Sequence, residues 1–198
     1  MRFYFILVFC WFSFSVIGQP KIEKRAIANK HIEQLRNGVL LVALDSKYGE
    51  IYILQKYLKQ QMADELKKEQ SIRNKEIYLA FREEFEFSEV YFYYKSYNRY
   101  LLDGQYDKVV FYNNKLEIDY DFEPTAQAFY IAAFEDDSKM GLHTYDNKMQ
   151  ALIKPFPNYE SERKLIFFKK DAFEVVSSWN EKLHNYLAQY EYTKKLNR

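Results

Sequence analysis

Cysteine occurs once in this 198-residue chain, at position 10. Cys10 sits in an apolar opening segment, and a lone thiol can form no internal disulfide and no thiolate metal site. If that segment is removed, as argued below, cysteine nucleophiles and thioredoxin-type exchange are excluded, because both need a thiolate. Histidine is nearly as scarce: His31, His143 and His184 fall in separate elements, none at i,i+4 to another. A zinc site needs three or four ligands, so these residues would have to converge with a carboxylate. Glycine is limited to five positions, and no G-x-G-x-x-G or G-x-x-x-x-G-K follows an apolar run. No G-x-S-x-G occurs, and Ser177 and Ser178 lie inside a helical pattern where a nucleophile is poorly presented. No motif therefore calls for a cofactor or metal.

Net charge is missing too. Without Arg2 the chain holds 28 basic and 28 acidic residues. A balanced surface offers no global attraction to nucleic acid or to an anionic membrane, so neither is favoured as a partner.

What is present begins with a leader. Arg2 precedes an apolar stretch over residues 3–17, and Val16 and Gly18 suit the −3 and −1 positions of a cleavage site. This layout predicts a secretory signal peptide over residues 1–18, with the mature chain starting at Gln19. The alternative is an uncleaved segment tethering the protein to a membrane. The stretch is shorter than the roughly 20 residues of a spanning helix, which favours cleavage and no membrane span thereafter. The expected location is the periplasm or the exterior. The remaining chain, 19–198, suits one domain.

Two runs are apolar at every position: Val39, Leu40, Leu41, Val42, Ala43, Leu44, and then residues 129–134. A run without a solvent face reads as a strand covered on both sides, so both belong at the centre of a sheet. Residues 89–94 are also strand-like, and 47–84 between them are helical in pattern. Strand, helix, strand is a crossover unit, which builds parallel sheets with helices on their faces. The expected fold is a single α/β domain, a mixed and mostly parallel sheet of about five to seven strands with helices on both faces. Its element order is analogous to a thioredoxin-like arrangement, without C-x-x-C.

Other elements follow from spacing. Ile27, Ala28, Ile32 and Leu35 predict an amphipathic helix over 20–36, stopped by Asn37 and Gly38. Ile51, Leu54, Leu58, Met62 and Leu66 form one stripe of the 47–84 pattern, and Ile77, Phe81 and Phe85 another. Glu69 and Arg73 are spaced as an i,i+4 ion pair. A continuous helix there would span about 57 Å, longer than a domain about 40 Å across. The helix is expected to break near residues 71–74. Residues 108–112 and 116–120 read as strands, and 141–145 with 149–153 as a hairpin. Asp171 and Glu174 cap a final helix striped by Val176, Trp179, Leu183, Leu187 and Tyr190.

Three segments, residues 35–42, 74–94 and 154–159, together resemble a group of uncharacterised secreted proteins from Bacteroidota-type bacteria. The resemblance implies an envelope or exported location and assigns no functional residue.

The acidic residues Asp119, Asp121, Glu123, Glu135, Asp136 and Asp137 lack the D-x-D-x-D-G spacing of a calcium loop, and Lys139 competes with them. They read as solvated strand ends. One positional argument points to a site: in open α/β sheets, ligands bind beyond the carboxyl ends of the strands. Those ends supply Asp45, Ser46 and Lys47, then Lys95, Ser96 and Tyr97, then Glu135 and Asp136. The first functional reading is an exported non-catalytic domain that binds a protein or small ligand in the cell envelope. The second is a hydrolase-type enzyme using carboxylates and a histidine, His143 with Glu135 or Asp136.

Overall fold

Val39–Leu44 forms β1 at the middle of the sheet, flanked by β2 (Glu89–Tyr94) and β3 (Phe129–Glu135), both parallel to it. The computed structural model describes residues 19–124, 129–136, 140–165 and 168–196. The expected signal peptide, Asp137 and Lys139 lie outside those residues. Side chains of β1 alternate between two cores. Leu40, Val42 and Leu44 enter one, and Leu41 and Ala43 enter the other. In β3, Tyr130, Ala132 and Phe134 share the first core while Phe129, Ile131 and Ala133 share the second. That two-sided burial is why both sequences are apolar throughout. Each fully buried Leu or Val there contributes roughly 1.5–3 kcal/mol.

The sheet continues antiparallel through β4 (Gly141–Tyr145) and β5 (Tyr159–Ser161), in the order β2-β1-β3-β4-β5. A separate ribbon pairs β6 (Arg163–Leu165) with β7 (Phe168–Lys169). Gly141 lets β5 close on β4, because a Cβ there would stand 2.2 Å from the Glu160 carbonyl oxygen.

The first crossover runs from β1 out to β2, and the second returns from β2, past β1, to β3, so the two run in opposite directions across the sheet. Right-handed connections must then lie on opposite faces, and they do. The first covers the face on which the N-terminal helix also packs. Here α1 is Gln19–Asn37, and the crossover itself comprises α2 (Tyr48–Lys56) and α3 (Gln60–Glu84). The second passes through the short α4 (Asn98–Leu102) and the irregular chain to residue 124, covering the other face with Leu101, Val109 and Phe111. The last helix, α5 (Ala172–Leu196), joins α1 and α3 on the first face. Its Asp171 carboxylate accepts the Glu174 backbone N–H at 2.8 Å, the expected cap. Trp179 is fully buried, stacks on Phe85 at 5.3 Å and donates its indole N–H to the Pro157 carbonyl at 2.7 Å. The molecule is thus one α/β domain, a doubly wound sheet with an antiparallel edge.

Several expected details differ. The long helix breaks at residues 57–59, and α3 runs unbroken through 71–74. The break is a Schellman closure: Lys59 N–H bonds the Leu54 carbonyl at 2.9 Å, Leu58 N–H bonds the Gln55 carbonyl at 3.0 Å, and Leu58 is left-handed with φ 55°. Glycine or asparagine normally marks that position, so leucine hid the stop. The stripe from Ile51 to Leu66 is also not a core face, since Leu58 and Met62 are 93% and 52% exposed. Residues 108–120 contribute only single bridges, Phe92 to Tyr112 and Tyr112 to Ile118. Residues 149–153 reach the sheet only by a Tyr145–Ala151 bridge, because β5 takes the place beside β4.

Candidate functional site

The polar middle of α3 has a purpose that its lack of apolar residues conceals. Lys67, Gln70, Ser71, Asn74, Lys75 and Tyr78 recur at helical spacing and form one wall of a cleft of about 600 Å³. Leu44, Asp45 and Ser46, at the carboxyl end of β1, line its base. Tyr94 at the end of β2, with Tyr112 and Leu116 from the irregular crossover, completes it. The Tyr94 and Tyr112 rings meet edge-to-face at 6.1 Å. Tyr78 is buried and donates its hydroxyl to the Asn114 carbonyl at 3.0 Å, tying α3 to the crossover. Burial, then the neighbouring tyrosines, raises the Tyr112 phenol above its ordinary value, so it stays neutral and able to donate.

Hydrogen bonds fix the amides at the base. Asn74 Nδ2 donates to the Asp45 carbonyl at 2.6 Å, and Gln70 Nε2 donates to Asn74 Oδ1 at 2.9 Å. The charge is one-sided. Asp45 is partly compensated: its Oδ1 accepts the Lys47 N–H at 2.8 Å, and Lys47 Nζ, shared with Glu50, lies 3.7 Å from Oδ2. Lys67 and Lys75 are exposed and have no carboxylate partner among the described residues. The cleft therefore offers an aromatic and aliphatic floor, fixed amides and hydroxyls, and two uncompensated ammonium groups.

The residues expected from strand ends divide between this cleft and its surroundings. Asp45 and Ser46 line it. Lys47 is engaged with Asp45 and with Glu50 at 3.3 Å. Lys95 bonds the Phe134 carbonyl at 3.1 Å and the Glu135 carboxylate at 3.3 Å, which locks the end of β2 to the end of β3 across β1. Ser96 is exposed, Tyr97 packs against the second core, and Asp136 is exposed. Spacing alone missed the α3 wall, Tyr94 and Tyr112. The available signal was a helix face with hydroxyls, amides and lysines where a core stripe would be apolar.

Two buried carboxylates were missed as well. Glu162 is 1% exposed and pairs with Arg73 and, at 2.7 Å, with Lys169. The i,i+4 spacing pairs Arg73 with Glu69. Instead Arg73 lies 4.9 Å over the Phe134 ring and reaches Glu162 and Glu76. Glu160, 3% exposed, accepts from Lys170 at 2.7 Å and from Lys182. Burial alone would raise the Glu160 carboxyl, but the hydrogen bonds from the two lysines outweigh it and hold it below the ordinary range.

The histidines stand apart. His31 bonds the Tyr130 hydroxyl at 2.8 Å, His184 meets the edge of Phe87 at 5.1 Å, and His143 lies between Tyr159 and Tyr145 on β4. Among the described residues, no group of three His, Cys, Asp or Glu is placed to hold a metal ion. No family model, curated protein or solved structure matches this chain.

Proposed function

We propose that this protein is an exported, non-catalytic binding domain whose ligand is a small anion with an apolar or aromatic body, held in the cleft between α3 and the carboxyl ends of β1 and β2. The observation that carries this reading is the pairing of Lys67 and Lys75, both without carboxylate partners, with a floor of Tyr78, Tyr94 and Tyr112. Binding pockets generally combine apolar walls with a few placed polar groups in this way. Export is supported by the layout of residues 1–18, from Arg2 to Gly18.

The hydrolase reading has less behind it. Of the two carboxylates considered with His143, Glu135 is held by Lys95 and Asp136 is exposed. A thermal-shift screen of the full chain against small aromatic and aliphatic carboxylates, sulfonates and phosphates tests the proposal. A ligand at 100 times its Kd should stabilise the fold by about 2.7 kcal/mol. Combined Lys67→Ala and Lys75→Ala should abolish most of that gain while leaving the unliganded melting point in place. Stabilisation by neutral aromatics alone, unaffected by the lysine changes, would refute the anionic class.

A further inference from the structure

The turn between α2 and α3 is exposed at every position from 55 to 62, although its composition is that of a packed surface. Tyr48, Tyr52, Ile53, Tyr57, Leu58 and Met62 are 71%, 56%, 54%, 69%, 93% and 52% exposed. At 100° per residue, Tyr48, Tyr52, Ile53 and Tyr57 occupy one half of the α2 cylinder with Lys56 among them. Ile51 and Leu54 occupy the other half. No residue of α2 is buried. At the apex, Leu58 occupies the left-handed position of the Schellman closure, which glycine fills without strain. A leucine placed there, with its side chain almost wholly in solvent, gains nothing from the rest of the chain.

We infer that this turn docks the protein reversibly onto the surface of an anionic lipid bilayer. Charge selects the occupant. From Tyr48 to Met62 the charged residues are Glu50, which Lys47 engages at 3.3 Å, and Lys56 and Lys59, which have no carboxylate partner among the described residues. A second copy seated by two-fold symmetry would set these lysines against their own equivalents, which costs affinity. Anionic headgroups attract both. Tyrosine rings lie favourably at headgroup depth, with leucine reaching past them, and lysine stems let the ammonium groups remain among the headgroups. Without Arg2, the chain apart from these two lysines holds 26 basic and 28 acidic residues, so the attraction is local to this turn. It also leaves the neighbouring cleft open, since none of these six residues lines it.

The test uses the mature chain from Gln19 to Arg198, free of the apolar 3–17 stretch, with phosphatidylcholine vesicles, with and without phosphatidylserine. Tyr57→Trp places an indole at the apex, and lipids brominated on their acyl chains quench an indole that enters the bilayer. Subtracting the parent protein removes the signal of Trp179. The expected result is quenching in excess of the parent that requires phosphatidylserine and weakens as salt rises. Leu58→Gly relieves the left-handed leucine, so its melting point should hold or rise while vesicle affinity falls at least several-fold. Lys56→Glu with Lys59→Glu should abolish the phosphatidylserine dependence. No excess quenching with either vesicle, or affinity untouched by Leu58→Gly, overturns the proposal. A dimer in sedimentation velocity that Leu58→Gly dissociates overturns it too, because the face would then belong to a second copy.

Discussion

Arg73 serves three neighbours at once. Its guanidinium covers the Phe134 ring, pairs with Glu76 at the surface and reaches the buried Glu162. It thereby ties α3 to the end of β3 and to the chain after β5. Removing one partner of a buried ion pair leaves an uncompensated charge, though Lys169 still faces Glu162 at 2.7 Å. Arg73→Met should therefore cost about 2–4 kcal/mol, below the upper range for such losses. Urea unfolding would measure this, and a loss under about 1 kcal/mol would mean that Lys169 alone suffices. Glu160 carries a pH dependence. Its folded carboxyl lies below its unfolded value, so the stability it contributes is present above the ordinary carboxylate range. That contribution is lost as pH falls through the lowered value. Glu160→Gln should flatten the acid limb of the stability curve relative to the parent protein. An unchanged limb would assign acid sensitivity to other groups. These two carboxylates were not legible in the sequence. Nothing local marks Glu160 or Glu162 as buried: Lys169 and Lys170 follow closely in sequence without revealing a pairing, and Arg73 and Lys182 are 89 and 22 residues away.

At the scale of elements, legibility followed locality. The runs at 39–44 and 129–134 announced central strands because two-sided burial leaves a local signature. The α5 stripe and its Asp171 cap are equally local. The break after α2 was displaced because its stop signal is a leucine in a glycine position. The pairing of β4 with β5 was missed because it spans the segment 146–158, where the turn at Asp146 suggested a nearer partner. The polar stretch of α3 sits between a buried Ala63 and a buried Ile77, while α2 buries nothing. Hydrogen exchange should therefore be fastest in α2, intermediate in residues 67–76 and slowest in β1 and β3. Protection of α2 equal to that of α3 in the free protein would contradict this order.

For the whole molecule, the doubly wound order determines where a site can form. Reversing direction at β2 puts α3 on one face and the irregular 103–124 crossover on the other. The two meet beyond the strand ends as Tyr78 bonds Asn114 and Tyr94 meets Tyr112. The sequence indicated the end of the sheet on which to look, and it supplied Asp45 and Ser46. It did not indicate which crossover residues would close over them, because that depends on packing between segments with no shared periodicity. Global charge was also silent, since the positive character lies in two lysines within a neutral whole. The most direct test of the cleft is amide chemical-shift mapping of the isotopically labelled full chain titrated with anilinonaphthalene sulfonate, a small aromatic anion. Saturable shifts are expected at Ser46, Gln70, Ser71, Asn74 and Tyr112, with affinity falling about tenfold, or 1.4 kcal/mol, on Lys75→Ala. Shifts confined to residues 48–62 or to the N-terminal segment, with those five amides unmoved, would contradict the account.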